Sequence, residues 1–328
     1  MKIEIIIIKL YSNIIKFAEK ILLLLGFQLE TAVRYLKLFN KIKHKMIERV
    51  IRRDTRDIIE SIESKKAHTV AAKKKRPKEY ITDRVWVMWW QNEIPPIIQF
   101  NITKMRHTFG NRLVVINKLN YRDYLEIDDE MLKIINSNSI SLTFLSDYIR
   151  TGLLFNYGGL WVDSTMYITD LYSDEKFMGE KKFFTSYGES WYANKFVPSG
   201  RWTGYFMGGT KNQLYFKLAN EIIRYYLLNA KKMPDYFVID YALNIAYEDN
   251  IGSFKDSVNQ LNPINQNVLQ LSQLMNQKFD EMKWQQLQNN SFAFKLTYKK
   301  KYVSQVGEEQ TFFGYLYGDL SIDTRSDE

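Results

Sequence analysis

The chain has 328 residues, 45% of them hydrophobic and 15% aromatic, enough to bury a substantial core as one large ordered domain with an appendage. It has no cysteine, and His44, His68 and His107 lie far apart in sequence. Disulfides, thiolate metal sites and cysteine nucleophiles are thereby excluded, and no spaced histidine pair is available for zinc. The net charge of +9 is uneven: residues 1–80 hold 20 Lys+Arg and 9 Asp+Glu, the remaining 248 hold 26 and 28, so the core lacks the basic surround of a nucleic-acid enzyme.

Residues 3–30 are rich in Ile and Leu, but Lys9, Lys16, Glu19 and Lys20 interrupt them. No uncharged stretch approaches the roughly 20 residues that span a bilayer, and no small-residue cleavage site marks a secretory signal. Residues 31–66 continue as a basic, helix-forming stretch, and Lys73-Lys74-Lys75-Arg76-Pro77-Lys78 reads as an exposed linker. The expected division is a basic, amphipathic helical segment over 1–75 and an α/β domain over 80–328. Two readings of the segment stand side by side. One is a peripheral membrane contact through residues 1–66, at the cytoplasmic face of the cell membrane. The other is a helical hairpin packed on the main domain with its lysines solvated. Nucleic-acid binding has only the basic segment in its favour.

After the linker the texture changes. Residues 84–90 (RVWVMWW) have strand-forming composition, and Ile94-Pro95-Pro96 opens a helix through about 106. Residues 112–117 (RLVVIN) have the length of a buried strand. A helix is expected over 142–156, a strand over 160–168, and further strands over 183–187 and 205–209. Helices over about 211–229 and 236–249 follow. Beyond 253 the chain is rich in Asn and Gln, and residues 292–298 are the clearest strand there. Alternating strands and helices predict an α/β fold with a mostly parallel, Rossmann-like sheet covered by helices.

The chemistry concentrates in residues 146–165. Leu142, Leu145, Ile149 and Leu153 recur at helical spacing and should face the core. Asp147 and Arg150, three apart, share another face. Gly158 and Gly159 permit a sharp turn into a strand. Alternation then places Trp161, Asp163 and Thr165 on one side, opposite Leu160, Val162 and Ser164. Such a unit delivers carboxylates to the C-terminal edge of a sheet, where α/β enzymes bind nucleotides.

The string LSDYIRTGLLFNYGGLWVDST resembles the core motif of bacterial capsular polysaccharide synthesis glycosyltransferases, relatives of the DXD-type sugar transferases. Residues 85–91 (VWVMWWQ) resemble the family's opening strand and residues 235–241 (DYFVIDY) its late helix, so the likeness runs over roughly 80–300. It implies a GT-A-like nucleotide-sugar fold and transfer from a nucleotide-sugar donor to a capsular polysaccharide or lipid-linked acceptor, with retention of configuration. It assigns catalytic roles to Asp147, Arg150 and Asp163. Donor contacts are implied at Trp86, Trp89, Gly158, Gly159, Trp161 and Thr165, with Trp86 or a neighbour stacking on the base. Asp163 matches the first DXD carboxylate and would hold a divalent cation, Mn²⁺ or Mg²⁺. Thr165 stands where a second aspartate is common, which weakens that site and leaves a catalytically silent scaffold protein as the alternative. Asn92 departs from the glycine common after the Trp-x-Gln run. Glu189-Ser190-Trp191-Tyr192 and residues 204–209 suit an acceptor pocket, although packing explains most of their aromatics. Lys295 and Tyr298 are weaker candidates for the diphosphate, and Asp240 reads as structural.

Overall fold

The computed structural model describes residues 2–70, 84–137, 139–178, 181–188, 195–229, 233–289 and 291–318. The basic linker at 73–78 and the Glu189–Tyr192 stretch fall outside the described residues.

Four helices come first: α1 (Lys2–Leu24), α2 (Leu29–Tyr35), α3 (Lys37–Asp54) and α4 (Arg56–Val70). There follow β1 (Val85–Met88), α5 (Pro96–Phe109), β2 (Leu113–Ile116), α6 (Asp129–Asn136), α7 (Leu142–Asn156), β3 (Gly159–Val162) and β4 (Met166–Ile168). Next are α8 (Asp174–Phe177), β5 (Phe183–Thr185), β6 (Phe206–Gly209), α9 (Leu214–Leu228), α10 (Val238–Glu248), α11 (Phe254–Asn259), α12 (Leu271–Leu274) and α13 (Glu281–Asn289). The chain closes with β7 (Ala293–Lys295), β8 (Gln305–Val306), β9 (Glu309–Gln310) and α14 (Phe312–Tyr317).

Five strands form the main sheet in the order β2-β1-β3-β6-β5. β1 runs parallel to β2 and β3, whereas β6 is antiparallel to both β3 and β5. The sheet is therefore mixed, not mostly parallel. Its first half is built from strand–helix crossovers; in its second half β6 returns antiparallel beside β5, with no helix among the described residues between them. Alternating side chains divide the core into two apolar layers. Trp86, Met88, Trp161 and Met207 pack towards α6, α7, α9 and α10. Val85, Val87, Leu160 and Val162 pack towards α5, α12, α13 and α14. With both faces covered, the strands are almost entirely apolar, with Thr185 at the end of β5 the exception.

The expected single strand over 160–168 is two. It stops at Val162, turns through Asp163-Ser164-Thr165 with the Met166 amide donating to the Asp163 carbonyl (2.9 Å), and resumes as β4. β4 leaves the main sheet and pairs antiparallel with β7. Asp and Ser favour such a turn because their short polar side chains offer the backbone local partners.

Helices α3 and α4 share the first apolar layer through Ile47, Val50, Ile51, Ile59 and Ile62. Arg52 fastens α3 beside α10, donating to both Asp249 oxygens (2.6 and 3.0 Å) and to Glu48 (2.7 Å). No described helix is long and apolar enough to cross a membrane.

Candidate functional site

Helix α7 begins at Ser141, whose hydroxyl accepts from the Phe144 amide. Leu145, Ile149 and Leu153 are buried as expected, but Leu142, in the first turn, is 39% exposed. On the other face Asp147 and Arg150 are buried, with Asp147 Oδ1 3.4 Å from Arg150 Nη2. The helix ends in Gly158 and Gly159, both at positive φ. A Cβ on Gly158 would lie 2.6 Å from the Lys211 amide nitrogen, and one on Gly159 would lie 2.3 Å from the Arg84 carbonyl oxygen. Only glycine fits this crossing. The Trp86 indole N–H clamps the turn by donating to the Gly158 carbonyl (2.8 Å). β3 then runs to its C-terminal edge and delivers Asp163.

Asp163 is held from three sides. Its Oδ1 accepts from Trp161 Nε1 (2.8 Å) and from Arg150 Nη2 (3.4 Å), and its Oδ2 accepts from Lys295 Nζ (2.5 Å). The Arg150 guanidinium lies over the Trp161 ring at 4.9 Å and against the bare backbone of Gly204, where a Cβ would come within 2.7 Å of Nη1. Asp240, from α10, accepts from the Trp202 indole N–H (3.1 Å). Asp147, Arg150, Asp163, Asp240 and Lys295 all face one cavity of about 520 Å³, whose aromatic walls include Phe196, Trp202, Tyr205, Tyr236 and Phe237.

The electrostatics divide the three carboxyls. Burial pushes Asp147 up to about 7; Arg150 opposes the rise, and Asp240 and Asp163 add to it. Burial likewise lifts Asp240 to about 6 against the pull of Trp202 and Arg150. Burial also acts to raise Asp163, but Lys295 and Arg150, with the hydrogen bonds from Lys295 and Trp161, outweigh it and hold this carboxyl down at about 2. Near neutral pH the cavity thus holds one firmly ionised carboxylate, two that take up protons readily, and two cations. Cations in an apolar-walled cleft suit an anion such as a diphosphate. Carboxyls that can donate or accept suit hydroxyl groups, and the aromatic walls suit sugar or base faces.

Asp147, Arg150 and Asp163 come together, with Trp161 beneath them as a positioning residue. Trp86, Gly158 and Gly159 lie away from the cavity. Trp86 is fully buried and packs on Tyr124 and Tyr157, so the stacking platform suggested by the sequence is a core residue holding the turn. Trp89 is also buried, donating to the Glu93 carbonyl (2.8 Å) and meeting Tyr298 edge-on. Thr165 does not line the cavity, because the turn after Val162 ends the strand alternation that would have carried it there. Its carbonyl accepts from the Leu296 amide (3.0 Å), and its buried hydroxyl makes no hydrogen bond.

These positions do not fit the expected cation site. The Asp163 carboxylate already accepts from three donors, and Thr165 lies outside the cavity. Among the described residues no group of three His, Cys, Asp or Glu side chains could hold a metal ion. Two residues given little weight in sequence are central here. Asp240 and Lys295 each carried one signal, a lone charge inside an apolar run (VIDYAL and FAFKL).

The family model described as capsular polysaccharide synthesis protein matches residues 30–316, a span that holds every residue of the cavity. No curated protein and no solved structure matches the chain.

Proposed function

The chain belongs to the capsular polysaccharide synthesis protein family, and from that premise we propose that it is a retaining glycosyltransferase using a nucleotide-sugar donor. The acceptor is a capsular polysaccharide or its lipid-linked precursor, and the site of action is the cytoplasmic face of the cell membrane, where nucleotide sugars are available. The observation that carries this reading is the convergence of two cations and three carboxyls on one aromatic-walled cavity at the C-terminal edge of a parallel β2-β1-β3 half-sheet. Such an edge is where nucleotides bind, and it supports a GT-A-type arrangement.

Breaking the sugar–phosphate bond leaves negative charge on the departing diphosphate. Lys295 and Arg150 are the groups that meet it, from a partly buried position where their charge is screened less than on an open surface. Asp163 holds both cations in place. Asp147 and Asp240, which bind protons near neutral pH, hydrogen-bond the hydroxyls of the donor sugar.

A thermal-shift panel of UDP- and GDP-sugars, with Mn²⁺ or with EDTA, tests the reading. The expected result is stabilisation by one donor, indifferent to EDTA. Donor hydrolysis or transfer should fall by roughly 10²–10³ in Asp163→Ala, with the variant's own melting curve as the check on folding. Protein that neither binds nor turns over any nucleotide sugar overturns the reading. The displacement of Thr165 from the cavity favours one alternative, a catalytically silent scaffold for polysaccharide assembly, which predicts that Asp163→Ala changes nothing.

A further inference from the structure

The N-terminal helices carry a surface that the cavity does not explain. Of the 26 large apolar side chains exposed among the described residues, 15 lie between Ile3 and Ile42. On α1 the inward face buries Ile5, Ile8 and Ile15, and the opposite face exposes Ile3, Ile7, Leu10, Ile14, Phe17 and Ile21. Spacings of three and four place those six in one stripe along the helix. Lys9, Lys16 and Lys20 follow one edge of the stripe at intervals of seven and four and are exposed. The same pattern recurs where α2 meets α3. There Tyr35, Leu38, Phe39 and Ile42 are exposed, with Lys37, Lys41 and Lys45 around them.

The charge on this surface is one-sided. Residues 2–45 hold nine Lys+Arg and three Asp+Glu, and all three acids are engaged. Glu4 pairs with Arg53, Glu19 with Lys195 and Glu30 with Arg34. The apolar stripe is therefore bordered by positive charge with no free carboxylate beside it. A second copy would set lysines against lysines, whereas an anionic leaflet neutralises them and takes up the aliphatic side chains. α1 lacks the length of apolar sequence to span the bilayer, which leaves it lying in the interface plane.

We propose that α1 and the α2–α3 apex dock on an anionic phospholipid leaflet, with the stripe from Ile3 to Ile21 as the inserted face and the lysines on the headgroups. The same layer reaches the cavity. Glu19 holds Lys195 at 2.7 Å, and the next residue, Phe196, lines the cavity and packs edge-on against Phe237, another lining residue. Glu19 lies on the inward face of α1, four residues after Ile15, so the helix whose outer face docks braces the cavity wall at Phe196 from its inner side. Resting on the transfer reading above, this makes the acceptor a membrane-anchored glycan whose lipid stays in the leaflet while its sugar enters past Phe196 and Phe237.

Flotation of the full-length protein with vesicles tests the docking apart from any chemistry. Vesicles of phosphatidylethanolamine with about a third phosphatidylglycerol should carry the protein up the gradient, with binding that weakens as salt rises over the range in which the Debye length shortens. Pure phosphatidylcholine vesicles should carry at least tenfold less. Leu10→Glu/Ile14→Glu/Phe17→Glu, all at exposed positions, should lose binding to anionic vesicles by tenfold or more while retaining the wild-type melting temperature and donor-induced stabilisation. Lys9→Gln/Lys20→Gln should weaken binding several-fold and flatten its salt dependence. Failure to float with anionic vesicles overturns the proposal, as does equal flotation with both lipids. So does a dimer in sedimentation velocity that the triple variant dissolves while vesicle binding persists. A protein that floats but binds no donor would instead break the transfer reading and leave the docking intact.

Discussion

The cavity and the N-terminal layer both run against the usual sorting of residues, and in opposite directions. The cavity buries two carboxyls and an arginine and half-buries a third carboxyl; the layer exposes eleven isoleucines and leucines. In the cavity the exception is balanced internally, because Asp163 takes Lys295 and Arg150 and the remaining carboxyls can bind protons. In the α1–α3 layer the acids are turned to internal pairs with Arg53 and Lys195, and the lysines are left facing out. A site that compensates its own charge is built to accept a small polar ligand. A surface that keeps both apolar area and uncompensated positive charge is built to meet something else that is apolar and negative.

The contrast breaks most sharply at the turn that aims the cavity. Gly159→Ala sets a methyl against the Arg84 carbonyl oxygen at a positive φ, so β1 and β3 must separate or the turn must unwind. A loss of about 3 kcal/mol or more is expected, read by chemical denaturation. Vesicle flotation by the folded fraction should persist, since α1 lies elsewhere; a stable Gly159→Ala protein would mean that the turn is not held as described. This turn was legible in sequence, as was the helix before it, because a helical apolar period, a double glycine and an apolar run are all local signals. The end of β3 was not. Alternation carried Thr165 to the same face as Asp163, but three consecutive turn residues diverted the chain, and only pairing with β7, about 130 residues away, shows where β4 goes. Trp86 misled for a related reason. An aromatic strand reads equally as a platform or as core, and its indole partner at Gly158 is 72 residues distant. Asp240 and Lys295 came into the site only through the packing of α10 and β7.

A smaller effect distinguishes the cavity by its pH response. The folded-state carboxyls of Asp147 and Asp240 titrate at about 7 and about 6, above their ordinary values. Their contribution to stability is fully present at acid pH and is lost as pH rises through those values. Asp163 acts in the opposite sense, and only in strong acid, as pH falls from the ordinary carboxylate range through about 2. Melting temperature should therefore decline from about pH 4 to about pH 7 in buffers of matched ionic strength. In Asp147→Asn the decline should be distinctly shallower, with the residue due to Asp240. Parallel curves for the two proteins would remove Asp147 as the titrating group. Donor binding should weaken over the same interval, because each proton lost adds a negative charge to the cavity that must receive the diphosphate.

The smallest expected effect separates the two faces of a single helix. Ile14 and Ile15 are neighbours on α1, 56% and 5% exposed. Ile15→Ala opens a gap beneath the helix and should cost about 2–4 kcal/mol, as buried isoleucines do. Ile14→Ala shortens a side chain that mostly faces solvent in the isolated protein and should stay within about 0.5 kcal/mol of wild type. Its effect should appear only with lipid present: three carbons are lost at roughly 0.8 kcal/mol each, and lipid newly covers only the exposed half of the side chain, so affinity for anionic vesicles should fall by about tenfold. The pair therefore ranks in opposite order by denaturation and by flotation if α1 has one face for the fold and one for the leaflet. If both substitutions destabilise the protein and neither changes flotation, the outer stripe belongs to the fold, and the contrast between layer and cavity collapses into ordinary packing.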